Sequence, residues 1–340
     1  MTSQNIHSRP VVTIDNKTLD NLKSASYRNE GNNSLSSLRV VVNDPEFFNY
    51  RLFNKEVKFF VNEGSAEATP IFVGYIRDVT PSDNSVSFTA YDCRTFISGR
   101  EGEPLVLTDN DNYDGFTAVQ FISDIITKNS LNISIDSLSE TEPPIPMSGI
   151  RATNESAYNI LRNRIDEIVD DSDPRNPLNY IIDVIGNDLV ITKKRVEGGT
   201  GIRFSRNDGI KSINIKRRAP ITKATVFGSD GSSGTFQYGS SPTGNVGLVH
   251  NDEKLTDNAE CTEKAIQIVM SERNEIDEIT ITATKGYDLG LNNIIYLDID
   301  DLDVRGEHRI ASKRINFDGN SLNYNISLDK LGPRVSQYSF

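Results

Sequence analysis

Strict alternation of apolar and polar residues, not helical spacing, governs the first hundred residues. Ser37 to Val42 (Ser-Leu-Arg-Val-Val-Val) and Lys55 to Val61 read as strands divided by turn residues. The pattern couples Ile71–Val79 to Val86–Tyr91 through Pro81-Ser82-Asp83-Asn84, where Pro and Asx residues reverse the chain between two period-two segments. In the second segment Val86, Phe88 and Ala90 share one face. Half-buried antiparallel strands of this kind belong to a barrel or a sandwich, and a barrel leaves no exposed edge.

The texture changes near Arg100. Asp114 is placed as an N-cap, and Phe116, Val119, Ile122, Ile125 and Ile126 follow at helical spacing up to Lys128. After Glu142-Pro143-Pro144-Ile145-Pro146, Thr153 is placed to cap a second helix with the stripe Ala157, Ile160, Leu161, Ile165 and Ile168, ending at Asp170-Asp171. Beyond a loop from Ser172 to Pro177, Tyr180–Ile185 pairs with Leu189–Thr192 around Gly186-Asn187-Asp188, a turn suited to positive φ. Helices plus hairpin make a small α/β insert.

Strands return at Ile210–Ile215 and Ile221–Phe227, before a stretch from Gly228 to Gly247 so rich in Gly and Ser that a mobile loop is expected, one whose deletion spares folding. A third helix is marked by Asp257 and Glu260 at capping-box spacing and by Cys261, Ala265, Ile268 and Val269 on one side. Strands Ile276–Ala283, Ile294–Ile299, His308–Asn316 and Leu322–Leu328 complete the chain, the last two joined through Phe317-Asp318-Gly319-Asn320. This final hairpin matches the Ile71–Asp92 hairpin in length and alternation. Either the two ends are copies of one β-domain, or two hairpins are simply alike.

The 340 residues suffice for two or three domains with real cores. The longest apolar run, Ile294–Leu297, is four residues, where a membrane helix needs about 20; no membrane insertion by this chain is expected. The N-terminus lacks the basic start and apolar stretch of a secretory signal, so synthesis in a cytoplasm is expected. With 36 Lys and Arg against 48 Asp and Glu, the net charge is −12, which argues against gripping nucleic acid by counterion release. Cys93 and Cys261 are read as reduced core residues, and His7, His250 and His308 show no metal-ligand spacing.

A search for chemistry returns turns and solvated edges. Gly-Ser-Asp-Gly-Ser-Ser-Gly at 228–234 lacks the helix that a nucleophile elbow requires. Gly198-Gly199-Thr200-Gly201 has no following Lys-Ser/Thr and runs directly into Ile202-Arg203-Phe204, so it reads as a turn before a strand. Asp298-Ile299-Asp300-Asp301-Leu302-Asp303 lacks the Gly and closing Glu of a calcium loop and reads as a solvated strand end. Lys216-Arg217-Arg218, without interleaved aromatics, fits a protein contact better than a nucleic acid. No catalytic, cofactor-binding or metal-binding residue is singled out.

Seven segments, taken in order, resemble one known family. They are Phe72-Val73-Gly74-Tyr75-Ile76 leading to Phe88-Thr89-Ala90-Tyr91-Asp92, the helix Ala157-Tyr158-Asn159-Ile160-Leu161, the strand Asn187-Asp188-Leu189-Val190-Ile191, Ala224-Thr225-Val226-Phe227-Gly228, and Gly306-Glu307-His308-Arg309-Ile310 running to Asn325-Ile326-Ser327-Leu328. The chain resembles the tail hub, or baseplate hub, proteins of contractile-tailed bacteriophages, the late control protein D-like family. One departure is Leu291-Asn292-Asn293 before Ile294, where relatives often carry Pro-Gly-Asp; Asn also adopts the left-handed conformation such a turn needs.

The resemblance implies an α+β, mainly β fold: two tube-like antiparallel β-barrel domains with a small α/β insert between them. The first barrel takes residues 1–99, the insert with two helices and a hairpin 100–205, and the second barrel, with one helix and the Gly/Ser-rich loop 228–247, residues 206–340. It implies a structural virion protein without enzymatic activity or cofactor. That protein is a homotrimeric hub adapting a sixfold tail tube to a threefold spike, with six barrels around the DNA channel. Its partners would be a tail tube or tube-initiator protein, a trimeric spike protein, baseplate wedge proteins, and DNA only in transit. The channel lining is expected to be mainly Asp, Glu, Asn, Ser and Thr, with Lys216–Arg218 turned toward neighbouring subunits. Two alternatives stand beside it: an N-terminal-type hub domain of a noncontractile tail-tip protein, against which the stop at Phe340 argues, and a tail-associated cell-wall hydrolase.

Overall fold

The computed structural model describes residues 10–31, 34–43, 52–61, 69–98, 113–135, 145, 147, 156–167, 169–170, 173–177, 180–193, 199–217, 219, 221–239, 247–253, 255–272, 276–286 and 289–330. The chain begins with β1 (Val11–Ile14), β2 (Lys17–Thr18), β3 (Leu22–Asn29), β4 (Ser37–Val42), β5 (Glu56–Phe60), β6 (Phe72–Ser82) and β7 (Ser85–Tyr91). A 3-10 turn at Cys93–Phe96 leads to α1 (Ala118–Lys128), β8 (Ser134–Ile135), α2 (Ala157–Glu167), β9 (Val169–Asp170), β10 (Asp173–Pro177), β11 (Tyr180–Ile185) and β12 (Asp188–Lys193). Then come β13 (Arg203–Ser205), β14 (Ile210–Arg217), β15 (Lys223–Phe227), β16 (Ser233–Gln237), β17 (Gly247–Asn251), α3 (Asn258–Glu272), β18 (Ile276–Ala283), β19 (Ile294–Ile299), β20 (Val304–Phe317) and β21 (Leu322–Lys330). Two compact units divide the chain: Met1–Asp166, Tyr180–Ile213 and Thr280–Phe340 form the larger, Glu167–Asn179 and Asn214–Ile279 the smaller.

The protein is mainly β, in the α+β class. One sheet of 13 strands follows the path β14-β18-β21-β20-β3-β4-β7-β6-β5-β1-β2, with β19 pairing both β20 and β13. The path is open at β2 and β14, so no closed barrel exists among the described strands. Within the path one pairing order occurs twice. The set β3-β4-β7-β6-β5-β1 has the same chain order and neighbours as β14-β18-β21-β20-β19-β13. Finer marks repeat as well. Left-handed Asn54 (φ 63°) and Asn292 (φ 66°) precede β5 and β19. The amides of Asn54 and Asn292 donate to Ile76 and Ile310 at 2.9 and 3.1 Å, and these two isoleucines donate back to Lys55 and Asn293. A register shift follows each, between Ile76 and Asp78 and between Ile310 and Ser312. The repeats differ in that β1 pairs β5 antiparallel whereas β13 pairs β19 parallel. They are joined where Lys313–Phe317 of β20 pair with Asn29–Ala25 of β3.

Local chemistry explains where the elements depart from the sequence reading. Pro81 lies within β6, opposite Val86, and the turn shrinks to Asp83-Asn84. Helix α1 starts at Thr117, not Asp114, because Gly115 at φ 84° interrupts any helix begun earlier. Thr117 and Gln120 form a reciprocal capping box, with the Gln120 amide donating to Thr117 Oγ1 at 3.3 Å and the Thr117 amide donating to Gln120 Oε1 at 2.8 Å. Its buried face is Ala118, Phe121, Ile122 and Ile125, one step round from the expected stripe. For α2 the cap is Ser156, whose Oγ accepts from the Asn159 amide; Thr153 and Ile168 lie outside the described residues. The last hairpin runs as expected, its turn held by Asp318, which accepts from the amides of Asn320 and Ser321.

The smaller unit corrects the mobile-loop expectation. From Ser233 to Gln237 the Gly/Ser-rich stretch is β16, the edge of a three-stranded sheet in the order β16-β15-β17. Ala224 and Val226 pack against Cys261, Ala265 and Val269 of α3, all fully buried. The glycines serve close approach rather than mobility. A Cβ on Gly234 would lie 2.2 Å from the Thr262 backbone nitrogen, and one on Gly228 would lie 2.4 Å from the Leu255 carbonyl. Residues 240–246 of the same stretch lie outside the described ones. At α3 the sequence reading holds, since the Glu260 amide donates to Asp257 Oδ1 at 2.8 Å.

Candidate functional site: a polar sheet face and its buried anchor

The two repeats build one continuous polar face. Along β18, β21, β20, β3, β4, β7 and β6, side chains alternate between a buried row, such as Ile281, Ile326, Ile315, Tyr27, Val40 and Phe88, and an outward row. The outward row includes Thr282, Asn325, Asn316, Ser26, Thr89 and Thr80. Seven strands at roughly 4.8 Å spacing carry this face across about 29 Å. Hydrogen bonds tie it laterally: Thr282 Oγ1 donates to Asn325 Oδ1 at 2.9 Å, and Ser26 Oγ donates to Asn316 Oδ1 at 2.7 Å across the joint of the repeats.

The charges at the centre of this face are positive, although the chain is acidic. Arg314 of β20 stands directly opposite Arg28 of β3, and Arg39 of β4 lies opposite the neighbouring Ser26. Like charges in direct opposition repel across a sheet. Arg28 is ion-paired with Glu30, while the side chains of Arg39 and Arg314 make no hydrogen bond or ion pair with described residues. The arginines at the centre of this face escape the sequence, because Arg28 and Arg39 lie 275 or more positions from Arg314 and only the β20–β3 register unites them.

Beneath the sheet lies a fully buried guanidinium that the sequence reading missed. Arg94 follows β7 in the 3-10 turn, capped by Asp92, whose Oδ1 accepts from the Arg94 amide at 2.9 Å. The guanidinium donates to Asp92 Oδ2 at 2.7 Å and to Ser36 Oγ at 2.9 Å. Its other terminal nitrogen donates to the carbonyls of Gly31 at 3.0 Å and Ile182 at 3.1 Å, and the group sits over the Tyr158 ring. Asp92 Oδ2 also accepts from the Ser36 amide at 2.7 Å. One side chain therefore binds the β3–β4 connection, α2 and β11, and each N–H has a partner, as a buried charge requires. Burial lifts the neighbouring Asp183 carboxyl above its ordinary value, against Asn29 and Val184, which donate to it. Burial likewise raises the Tyr27 phenol and the Cys93 thiol, so Cys93 stays a thiol. The only sequence signal was Asp92-Cys93-Arg94 just after a strand.

The remaining candidates separate. Asp298–Asp303 spans the end of β19 and the turn into β20; Asp300, Asp301 and Asp303 are exposed, and arginines pair with Asp298, Asp300 and Asp301. Arg305 bonds Asp298 at 3.0 Å and Asp300 at 2.7 Å, Arg206 forks onto Asp301, and Arg203 pairs with Asp298. Among the described residues no group of three or more acidic, His or Cys side chains is arranged to hold a metal. Gly201, at φ 75°, turns the chain into β13 and borders a groove of about 280 Å³ with Arg203, Tyr296 and Glu307. Lys216 and Arg217 are exposed at the end of β14, and Arg218 lies outside the described residues. His308 is buried with Nδ1 3.0 Å from the Gly306 carbonyl, and both cysteines are buried and unbridged. No described helix is long and apolar enough to cross a membrane.

No sequence-family model matches the chain, and no curated protein matches it in sequence. Solved structures do. The 43 kDa tail protein of prophage MuSo2 from Shewanella oneidensis aligns with a TM-score of 0.69 at 13% identity, over 95% of this chain and 98% of that one. A tail protein from Neisseria meningitidis MC58 gives 0.67 at 12% identity over 94% and 95%. Prophage tail protein gp18 from Listeria monocytogenes EGD-e gives 0.57 at 12% identity over 97% of each chain. The chain has the fold of phage and prophage tail proteins, the group to which its sequence motifs pointed.

Proposed function

We propose that this chain is a structural protein of a phage tail, a hub at the end of the tail tube, and not an enzyme. The observation that carries the reading is the pairing order found twice in one chain, because two like β-sets per chain meet a sixfold tube when three chains form a ring. The full-length match in fold to tail proteins supports the same reading. In the assembled ring each β-set would close into a tube-like barrel, with residues 1–99 and 206–340 as the barrel domains and 100–205 between them. The homotrimer would adapt the tube or its initiator to a trimeric spike, contact baseplate wedge proteins, and let DNA pass.

The polar face fits a conduit wall better than an adhesive one, since Ser, Thr and Asn do not release counterions from phosphates. Arg28, Arg39 and Arg314 are the positions at which that argument is exposed. A reconstruction of the tail end that contains this chain tests the reading: three copies presenting six β-sets are expected. Six copies, one β-set per sixfold position, or absence of the chain from the tail would overturn it.

A further inference from the structure

The positive charge of the polar face is concentrated where the two repeats meet. One row across the sheet runs Asn325, Arg314, Arg28, Ser37 and Tyr91, and the row beside it runs Asn323, Asn316, Ser26, Arg39, Thr89 and Asp78. Arg314 is therefore directly opposite Arg28, and Arg39 is its diagonal neighbour on β4. In such positions the Cβ atoms of Arg314 and Arg39 lie within about 8 Å of that of Arg28. All three arginines are exposed. Two carboxylates lie near them. Glu30 pairs with Arg28 and also accepts from Ser34 Oγ at 3.1 Å, while Asp78, two strands from Arg39, accepts from the Tyr91 hydroxyl at 3.2 Å. Neither is paired with Arg39 or Arg314. The free chain thus bears the repulsion of like charges in direct opposition, which an anion between them would turn into attraction.

We infer that Arg28, Arg39 and Arg314 form a phosphate-contact site for the backbone of duplex DNA moving along this face. The surroundings of the three arginines select that ligand. A protein partner docks through buried aromatic or apolar anchors, and no exposed large hydrophobic side chain of the described residues belongs to these rows. Single-stranded nucleic acid is held by bases stacked on aromatic rings, whereas the one ring here, Tyr91, is half-buried and bonded to Asp78. What the rows offer besides guanidiniums is Ser26, Ser37, Thr89, Asn316 and Asn325, and Arg, Ser, Thr and Asn are the side chains that bind phosphate oxygens without reading bases. Two or three neutralised phosphates make a loose contact, one that weakens about 12- to 40-fold between 50 and 200 mM salt. The wall therefore carries one point of purchase on a surface that otherwise lets DNA slide. That DNA is what reaches this face rests on the hub reading, while the contact site is measured on the chain alone.

The test is binding of a fluorescent duplex of about 20 base pairs to the full chain over a salt series from about 20 to 200 mM. The wild-type chain is expected to bind at the low end, with a log–log salt slope between about −2 and −3. Arg39→Gln and Arg314→Gln should each weaken binding and make the slope shallower by about 0.9, while Arg39→Lys and Arg314→Lys keep the slope. Lys223→Gln removes an equal charge from the smaller unit and should leave binding as it is. Arg314→Gln also relieves the opposition to Arg28, so its melting temperature should not fall below wild type, which separates lost contact from lost fold. Absence of binding at the lowest salt, equal slopes in wild type and both Gln variants, or the same change in Lys223→Gln overturns the inference. So does tighter binding of poly-glutamate than of the duplex, which would assign the site to an acidic protein segment. Displacement of the duplex by inorganic phosphate at roughly 1 mM, against chloride of equal ionic strength, would assign it to free phosphate and overturn it as well. A tail reconstruction that lacks this chain would overturn the hub reading and leave these measurements standing.

Discussion

In the larger unit a buried guanidinium fixes three segments by hydrogen bonds, whereas in the smaller unit two glycines let a strand lie almost on the backbone of a helix. Arg94 uses every donor it has on Asp92, Ser36, Gly31 and Ile182. Gly228 and Gly234 act by having no side chain, bringing β15 and β16 onto α3 around Cys261. The two devices fail differently. A polar node is sensitive to lost charge, because its partner is left buried and unpaired, while a glycine contact is sensitive to added volume, because a packed backbone cannot yield.

The strongest way to break this contrast is Arg94→Met, which strands the Asp92 carboxylate. A loss of about 3–5 kcal/mol is expected in urea unfolding. The double variant Asp92→Leu, Arg94→Met should recover part of it, and not all, because the carbonyls of Gly31 and Ile182 and the amide of Ser36 lose their partners. If Arg94→Met alone unfolds within about 1 kcal/mol of wild type, the node is not an anchor.

Gly234→Ala comes next. Its methyl meets the Thr262 backbone, not a flexible side chain, so roughly 1–3 kcal/mol is expected. Hydrogen exchange should quicken across β15, β16 and α3 while β20 and β21 keep their protection. Deleting residues 228–239 should abolish protection of α3 altogether, the opposite of what a dispensable loop would give. Protected α3 in that deletion would restore the loop reading.

Both devices escaped the sequence for physical reasons. Gly and Ser at 228–239 have the composition of a linker, and composition does not distinguish glycine chosen for freedom from glycine chosen for close approach. Arg94 sits three residues past a strand, where charge ordinarily marks solvent, and its partners lie up to 88 positions away. By contrast, Ser37–Val42, Ile276–Ala283 and Ile294–Ile299 were legible to the residue, because period-two alternation is a local property. The likeness of the two long hairpins was visible, but the duplicated pairing order was not, since it depends on which distant strands meet.

Helix α1 offers a smaller effect that sharpens the comparison by touching neither device. Thr117→Ala removes the side-chain acceptor for the Gln120 amide and should cost about 1 kcal/mol, whereas Asp114→Ala should leave stability within about 0.5 kcal/mol. An equal loss in both variants would return the helix start to Asp114.

The smallest expected effect tests whether the node's surroundings are strained by charge. Burial raises the Asp183 carboxyl above its ordinary 3.8, with Asn29, the Val184 amide and Arg94 pulling it down and Asp92 pushing it up. Between the unfolded value and the raised folded value, the folded chain therefore holds more protons than the unfolded one. Stability from this group is present on the acid side and is lost as pH rises through the folded value. Asp318 has the opposite sign: the amides of Ser321 and Asn320 lower its carboxyl, so its contribution is present at neutral pH and lost on acidification. Asp183→Asn keeps an acceptor for Asn29 and Val184 and removes the titration. Its melting temperature is expected to gain on wild type as pH rises from about 4 to 7, and Asp318→Asn is expected to fall behind wild type as pH rises toward about 4 from below. A flat difference for Asp183→Asn, or one of the reverse sign, would mean that Arg94 already compensates the second carboxylate and that the node tolerates charge better than its burial implies.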